Sequence, residues 1–239
     1  IIVQEVDHLR LGWRFVVETG QPLLIDHYVP GLFHLYNIRG WYLEGAMLFK
    51  GAIEQMIQHP ECQEIGSRAA VALAALQIHY AEFLHRLSSF DEARHYLDAA
   101  MPFVRAHQRS AEIGFALNAL GYNWYMRGDY QAAIKELSKE LIAGDLAVSR
   151  YEFDDYLMVH HLLVLLNRQP EIEPMMQKSF AKTADYYKRY DEDKSKAALD
   201  WLKDINSYLR GQISDKQLIA GAKYEQDKAN CYLAIGLSK

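Results

Sequence analysis

The chain has 239 residues, of which 50% are hydrophobic, so it is long enough to bury a sizeable core in one large or two small domains. Its 26 lysines and arginines are outnumbered by 31 aspartates and glutamates, leaving a net charge of -5 and no excess positive field for nucleic-acid phosphates. Two cysteines cannot form a disulfide framework, and no run approaches about eighteen apolar residues, so we expect a cytoplasmic protein that binds neither nucleic acid directly nor the membrane.

Helices are predicted along almost the whole chain. Only six prolines occur, apolar residues recur at spacings of three and four, and strand-like alternation is not sustained anywhere. Breaks with turn-forming residues separate the helical segments, and in chain order they lie at 19–22, 39–40, 59–60, 87–89, 127–129, 167–170 and 210–211. The sequence therefore predicts about eleven or twelve helices joined by short turns, in a single domain of residues 1–239.

Turns recur along the chain at similar intervals. The turn positions Gly40, Ser88, Gly128, Asn167 and Gly211 are 39 to 48 residues apart. A period in this range is typical of repeat proteins built from stacked helix pairs. We therefore predict an all-α fold, a right-handed superhelix (α-solenoid) of about five to six antiparallel helix pairs with a period near 40 residues.

One helix pair carries a family resemblance. The spacing of Leu120-Gly121, Trp124, Gly128, Tyr130, Ala133 and Leu137 resembles a tetratricopeptide repeat. The resemblance implies that Gly121 and Ala133 are small because two helices approach closely there, while the larger side chains fill the space between units. Residues 61–168 fit this pattern best, and residues 169–239 diverge from it. The period also exceeds the roughly 34 residues of standard units, so we expect longer helices or wider turns.

Residues 1–60 carry a second resemblance. The segments EVDHLRLGWRFVVETGQ and LFHLYNIRGWYLEGAMLFKGAIEQM are similar to the start of the helical-repeat region in large bacterial signalling ATPases of the STAND class, which includes maltose-activator-type transcription regulators. The resemblance implies a sensor or interaction arm that receives a signal from an inducer or a partner. No Gly-x-x-x-x-Gly-Lys-Ser/Thr motif occurs, so the nucleotide site of such a protein is absent from this chain.

Stacked helix pairs leave their first helices lining a concave groove, which is the predicted binding surface. By the repeat register this groove receives a mixture of aromatic, amide and charged side chains, a composition suited to a peptide or a small polar ligand. The predicted groove residues are His34, Asn37, Glu82, His85, Arg86, Asn118, Tyr122, Tyr125, Asp154 and His161. We expect a protein or peptide partner, or a small-molecule inducer, and no catalysis and no cofactor.

Two alternatives come from other classes of protein. A metal-dependent enzyme could use Glu82-x-x-His85 with Glu92-x-x-His95, but the register places the two pairs on different faces. The adjacent pair His160-His161 points in two directions on a helix, and Cys62 near a helix start is the candidate for a thiol-dependent enzyme. A structural module that forms homo-oligomers is the second alternative.

Overall fold

The computed structural model describes residues 2–142, 150–178, 181, 200 and 203–222. In these parts of the chain every regular element is helical and there is no strand, which confirms the predicted all-α class. The elements are α1 (Ile2–Glu18), α2 (Pro22–Arg39), α3 (Tyr42–Met56), the 3₁₀ helix η1 (Pro60–Gln63), α4 (Arg68–Arg86), α5 (Phe90–Ala106), α6 (Ser110–Met126), α7 (Tyr130–Ile142), α8 (Arg150–Leu165), η2 (Gln169–Glu171) and a helix at Asp215–Gly221. Residues 172–178 and 203–209 are also helical. None of the helices in these parts is long and apolar enough to cross a membrane.

Residues in the left-handed backbone region end many of the helices. All five turn positions on which the predicted period rests have positive φ, between 55° and 78°, and Gly20 and Gln108 share this conformation. Such a residue lets the following N–H reach back into the last helical turn. For example, Trp41 N donates to the Tyr36 carbonyl at 3.0 Å, and Arg109 N donates to the Val104 carbonyl at 2.9 Å. The turns at Gly20 and Gly40 are 20 residues apart, which is also the spacing of those at residues 88, 108 and 128.

The chain divides into two compact units, residues 1–127 and 128–239. In the first unit each helix packs on the next one along the chain, and α1, α2 and α4 also contact the helix two places later, α3, α4 and α6 respectively. This order of contacts is typical of stacked helix pairs. The superhelix, the number of repeats and the single domain with sections 1–60, 61–168 and 169–239 stay predictions.

Helix α4 forms the centre of the first unit. It packs against α2, α3, α5 and α6, and all of its residues from 69 to 78 are buried. The segment reads AAVALAALQI, and a helix that is apolar on every face has to be surrounded by other elements. Its five alanines allow these neighbours to approach closely. Towards its end the helix opens to solvent at Glu82 and Arg86, and this is where α4 contributes to a surface.

In the second unit α7 packs on α8. The buried side chains include Ala133 and Leu137 on α7 and Leu157 and Leu162 on α8. Arg168 links the start of η2 to α7, because its Nη1 donates to Gln131 Oε1 at 2.5 Å while its other nitrogens bind Glu171. The hydrogen bonds between the two side chains raise the pKa of Arg168 and lower that of Glu171.

Two glycines of α3 are expected to respond in opposite ways to alanine. A Cβ at Gly45 would lie 2.7 Å from the ring of Phe83. That ring packs against Phe33 and Phe49, each at a centroid distance of 5.3 Å, so it cannot move away easily. A Cβ at Gly51, in contrast, meets nothing within 4 Å. We expect Gly45→Ala to destabilise the protein by about 1 to 2 kcal/mol, because overpacking outweighs the gain in helix propensity. Gly51→Ala should stabilise it by about 0.5 to 1 kcal/mol. Urea unfolding of both variants measures the contrast, and equal effects would contradict this packing of α3 on α4.

Candidate functional site

The structure brings five of the ten predicted groove residues together. They lie at the ends of α4 and α6, which are in contact, and we call them the α4–α6 cluster: Glu82, His85, Arg86, Tyr122 and Tyr125. The cluster is continuous, since each member contacts at least one other. It therefore joins positions that the repeat register assigns to the first helices of two successive pairs.

The remaining predicted residues lie elsewhere. On α2, His34 is exposed and Asn37 is half-buried, and Asn118 is half-buried one turn before Tyr122 on α6. His161 is half-buried on α8 in the second unit, and Asp154 lies on the same helix but its side chain is outside the described part of the structure. The prediction that all ten share one groove is untested.

Buried hydrogen bonds fix the position of His85, the innermost residue of the cluster. The amide of Asn123, which is fully buried, donates to the Phe90 carbonyl at 2.6 Å and to Nε2 of His85 at 3.2 Å. Because Nε2 accepts, the ring proton of His85 is on Nδ1, which faces Glu82 Oε2 at 3.5 Å. The side chain of His85 is itself fully buried, whereas a residue that lines a groove is expected to be exposed. In this position His85 can hold the carboxylate of Glu82 in place, but it is not accessible to a ligand.

The exposed part of the cluster combines a charged pair with aromatic rings. Arg86 Nη2 lies 3.2 Å from Glu82 Oε1, and its guanidinium lies 5.9 Å from the centre of the Tyr42 ring. The ring of Tyr122 meets the buried His85 ring edge-on at 5.7 Å, and Tyr125 follows at 6.3 Å from Tyr122. The arrangement offers hydrogen-bonding groups of both signs beside two half-buried phenol rings, which suits the recognition of a polar chain.

A second set of contacts, which the sequence analysis missed, ties α2, α4 and α6 together. His79 on α4 is placed between Phe33 on α2, at 4.8 Å, and Phe115 on α6, at 5.1 Å, and its Nδ1 lies 2.8 Å from the Ala75 carbonyl. Burial lowers the pKa of His79, so its ring is neutral at pH 7. The neutral tautomer donates from Nδ1 to this carbonyl. The apolar spacings of three and four in the sequence predict helices, but they do not predict this stack.

An ion pair also links α2 to α6. The guanidinium of Arg109, at the start of α6, binds Asp26 of α2 at 3.0 Å and also pairs with Glu112. These two carboxylates raise the pKa of Arg109 through hydrogen bonds and charge, with Glu112 making the larger contribution. Asp26 and Arg109 are 83 residues apart, so no local pattern could have predicted the pair.

The residues weighed for metal or thiol chemistry make other contacts. Glu92 accepts a hydrogen bond from the Tyr80 hydroxyl at 3.3 Å, and His95 packs on the Tyr96 ring at 5.5 Å. Cys62 is buried in η1, and burial raises the pKa of its thiol, which disfavours the reactive thiolate. Where side chains are described, no group of three or more His, Cys, Asp or Glu residues could hold a metal ion.

A cleft between α1 and α3, with part of α2, was also missed. Its volume is about 530 Å³, within the range of small-molecule sites. We call it the α1–α3 cleft, and it is lined by Arg10, Trp13, Arg14, Val17, Glu18, Tyr36, Glu44, Leu48, Gly51, Ala52 and Gln55. Two arginines one helical turn apart beside Trp13, and the small pair Gly51-Ala52, are the only local signals of it in the sequence.

Arg10 forms a fixed wall of the α1–α3 cleft. Its guanidinium donates to the Tyr36 hydroxyl at 3.0 Å, to Glu44 at 2.6 Å and to Asp7 at 3.2 Å, and it also lies 5.4 Å from the ring of Trp41. The hydrogen bond to Tyr36 is the main cause of the raised pKa of Arg10. With all of its contacts made inside the protein, Arg10 shapes the cleft without offering a free charge.

No protein-family model matches this sequence, and neither a curated protein nor a solved structure shows significant similarity to it.

Proposed function

We propose that this chain is a non-catalytic binding module, an α-solenoid of tetratricopeptide type whose groove recognises a peptide or a small polar ligand. In this proposal it serves as the sensor or interaction arm of a larger bacterial protein, a signalling ATPase of the STAND class or a related transcription regulator. The observation that carries the proposal is the α4–α6 cluster, in which five predicted groove residues from two successive first helices are in contact.

The fold supports the solenoid part of the proposal in two ways. Helix junctions recur at intervals of 20 residues at Gly20 and Gly40 and again at Ser88, Gln108 and Gly128, so that two helices make a unit of 40. Helices α2, α4 and α6 contact one another in succession, as the first helices of stacked pairs do.

The chemistry of the cluster supports a polar chain as ligand. Glu82 and Arg86 hold each other in place on neighbouring turns, so their remaining hydrogen-bonding capacity is directed outward at little entropic cost. The neighbouring tyrosines add apolar area and hydroxyl groups with few rotatable bonds. An extended peptide can satisfy such groups with backbone amides and with a side chain of either charge.

Loss of the two tyrosine rings is expected to weaken binding. We expect Tyr122→Ala/Tyr125→Ala to reduce the affinity for a peptide selected on an array by at least about 2 kcal/mol, because rings of this kind act as interface hot spots. The measurement is fluorescence polarisation with the labelled peptide. Circular dichroism checks the fold, because Tyr122 also packs on His85.

The matched control is Tyr122→Phe/Tyr125→Phe, which keeps both rings and removes only the hydroxyls. It should retain most of the affinity, because both rings stay in place. Wild-type binding by the alanine variant would contradict the groove assignment. A mass that rises with concentration, without any peptide that binds at the cluster, would instead favour the homo-oligomerisation module.

A further inference from the structure

Two opposite charges, both on solvent-exposed side chains, line the α1–α3 cleft without a partner among the described residues. Arg14 and Glu18 lie one helical turn apart on α1 and both line the cleft. In the described part of the chain neither of them makes an ion pair or a side-chain hydrogen bond, although Arg and Glu at this spacing commonly pair with each other. The amide of Gln55, on the opposite wall, is likewise without a partner there.

We propose that the α1–α3 cleft binds a free α-amino acid with an apolar side chain, with Arg14 holding the α-carboxylate and Glu18 the α-ammonium group. This site is separate from the α4–α6 cluster and does not depend on the function proposed for it. A free amino acid carries a carboxylate and an ammonium group that are both bonded to its α-carbon. Binding both groups therefore requires a carboxylate and a guanidinium that lie close together and make no other ion pair, and α1 provides them in Glu18 and Arg14.

The floor of the cleft suits the apolar side chain. Val17 and Leu48, which are half-buried, contribute aliphatic surface, while Ala52 and Trp13 also line the cleft but are almost fully buried. Trp13 cannot move away easily, because it stacks on Phe49 at 5.7 Å and packs against Tyr28 at 6.3 Å. A preformed apolar floor lowers the entropic cost of binding. The volume of about 530 Å³ admits a side chain as large as phenylalanine.

The charges around the cleft make a zwitterion a better occupant than a simple anion or cation. Arg10 and Glu44 neutralise each other at one end, where Arg10 is also engaged by Asp7. Arg14 and Glu18 are the pair left at the other end, and they sum to zero. A ligand with a single net charge would pair with only one of them, whereas a zwitterion can pair with both.

Blocked amino acids separate this proposal from the binding of a peptide terminus. With the whole chain, L-phenylalanine should raise the melting temperature in proportion to the logarithm of its concentration, because it binds only the folded state. Isothermal titration should show that N-acetyl-L-phenylalanine and L-phenylalaninamide, which each lack one charge, bind at least about tenfold more weakly. Equal binding of either derivative would assign the cleft to a peptide terminus and overturn the proposal.

Two pairs of variants locate the site. Gly51→Leu fills the cleft from α3, where an added Cβ meets nothing within 4 Å, and should abolish binding of phenylalanine. Gly31→Leu is the matched control on α2, because that glycine is equally open but does not line the cleft. Arg14→Gln should weaken binding by about tenfold or more, while Arg105→Gln on α5 should leave it unchanged.

The proposal fails on any of three results. They are no response to phenylalanine or leucine up to about 10 mM, binding that survives Gly51→Leu, and equal loss in Gly31→Leu and Gly51→Leu. Neither glycine variant is expected to unfold the protein, since both substitutions add a side chain to a helix in open space.

Discussion

Ala133→Trp is expected to lower the free energy of unfolding by about 1 to 3 kcal/mol or more. Ala133 has no exposed surface, and on α7 it lies beside the buried Ile134 and one turn from the buried Leu137. An indole in this position has to displace packed side chains, because a protein interior leaves few voids larger than a water molecule. Thermal melting and urea unfolding both measure the loss.

Lys135→Trp is the matched control, since Lys135 is exposed on the same helix. It adds the same ring to α7 without entering the interior, and its effect on stability should stay within about 0.5 kcal/mol. An unchanged melting temperature for Ala133→Trp would contradict both the burial of this position and the tetratricopeptide-like role that the sequence predicts for it.

Acidification from pH 6.5 to about pH 4 is expected to destabilise the second unit by up to about 3 kcal/mol through His160. Its pKa is lowered to about 4, first by burial and then by the neighbouring charges of His161 and Arg210. Since the unfolded chain binds a proton at higher pH than the folded one, this stability is fully present above pH 6.5. It is lost as the pH falls through the folded pKa.

His79 should contribute to the same loss in the first unit, because burial lowers its pKa too. The carboxylates of Glu112 and Asp26 oppose this shift, and His34 adds to it. Urea unfolding at several pH values measures the slope for the whole chain. His160→Gln should flatten it, while His95→Gln, a change at an exposed position, should not. A parallel slope in all three proteins would show that other groups cause the acid sensitivity.

Much of the fold follows from local signals. The turns at Gly40, Gly128 and Gly211 are predictable because glycine accepts positive φ without a steric penalty, and Ser88 and Asn167 lie in runs rich in turn-forming residues. The turn at Gln108 adopts the same conformation but was missed, since neither Gln108 nor its neighbours favour a turn. There the backbone follows the packing of α5 on α6.

In the candidate sites, too, some features follow from local sequence and others depend on tertiary contacts. The 3.6-residue period by itself places Glu82 and Arg86 on one face of α4, and it places Tyr122 and Tyr125 together on α6. The burial of His85 could not be predicted, because it depends on Asn123, 38 residues away, and that contact exists only when α6 packs on α4.

The α1–α3 cleft depends most on tertiary structure. Its wall requires Arg10 to reach Glu44, 34 residues further along the chain. By itself the sequence determined the helical class, most helix ends and the faces of single helices, because backbone preferences and side-chain periodicity act over a few residues. Only the tertiary structure decided which polar groups are paired, which are buried and which are left free, because pairing and burial depend on residues that packing alone brings together.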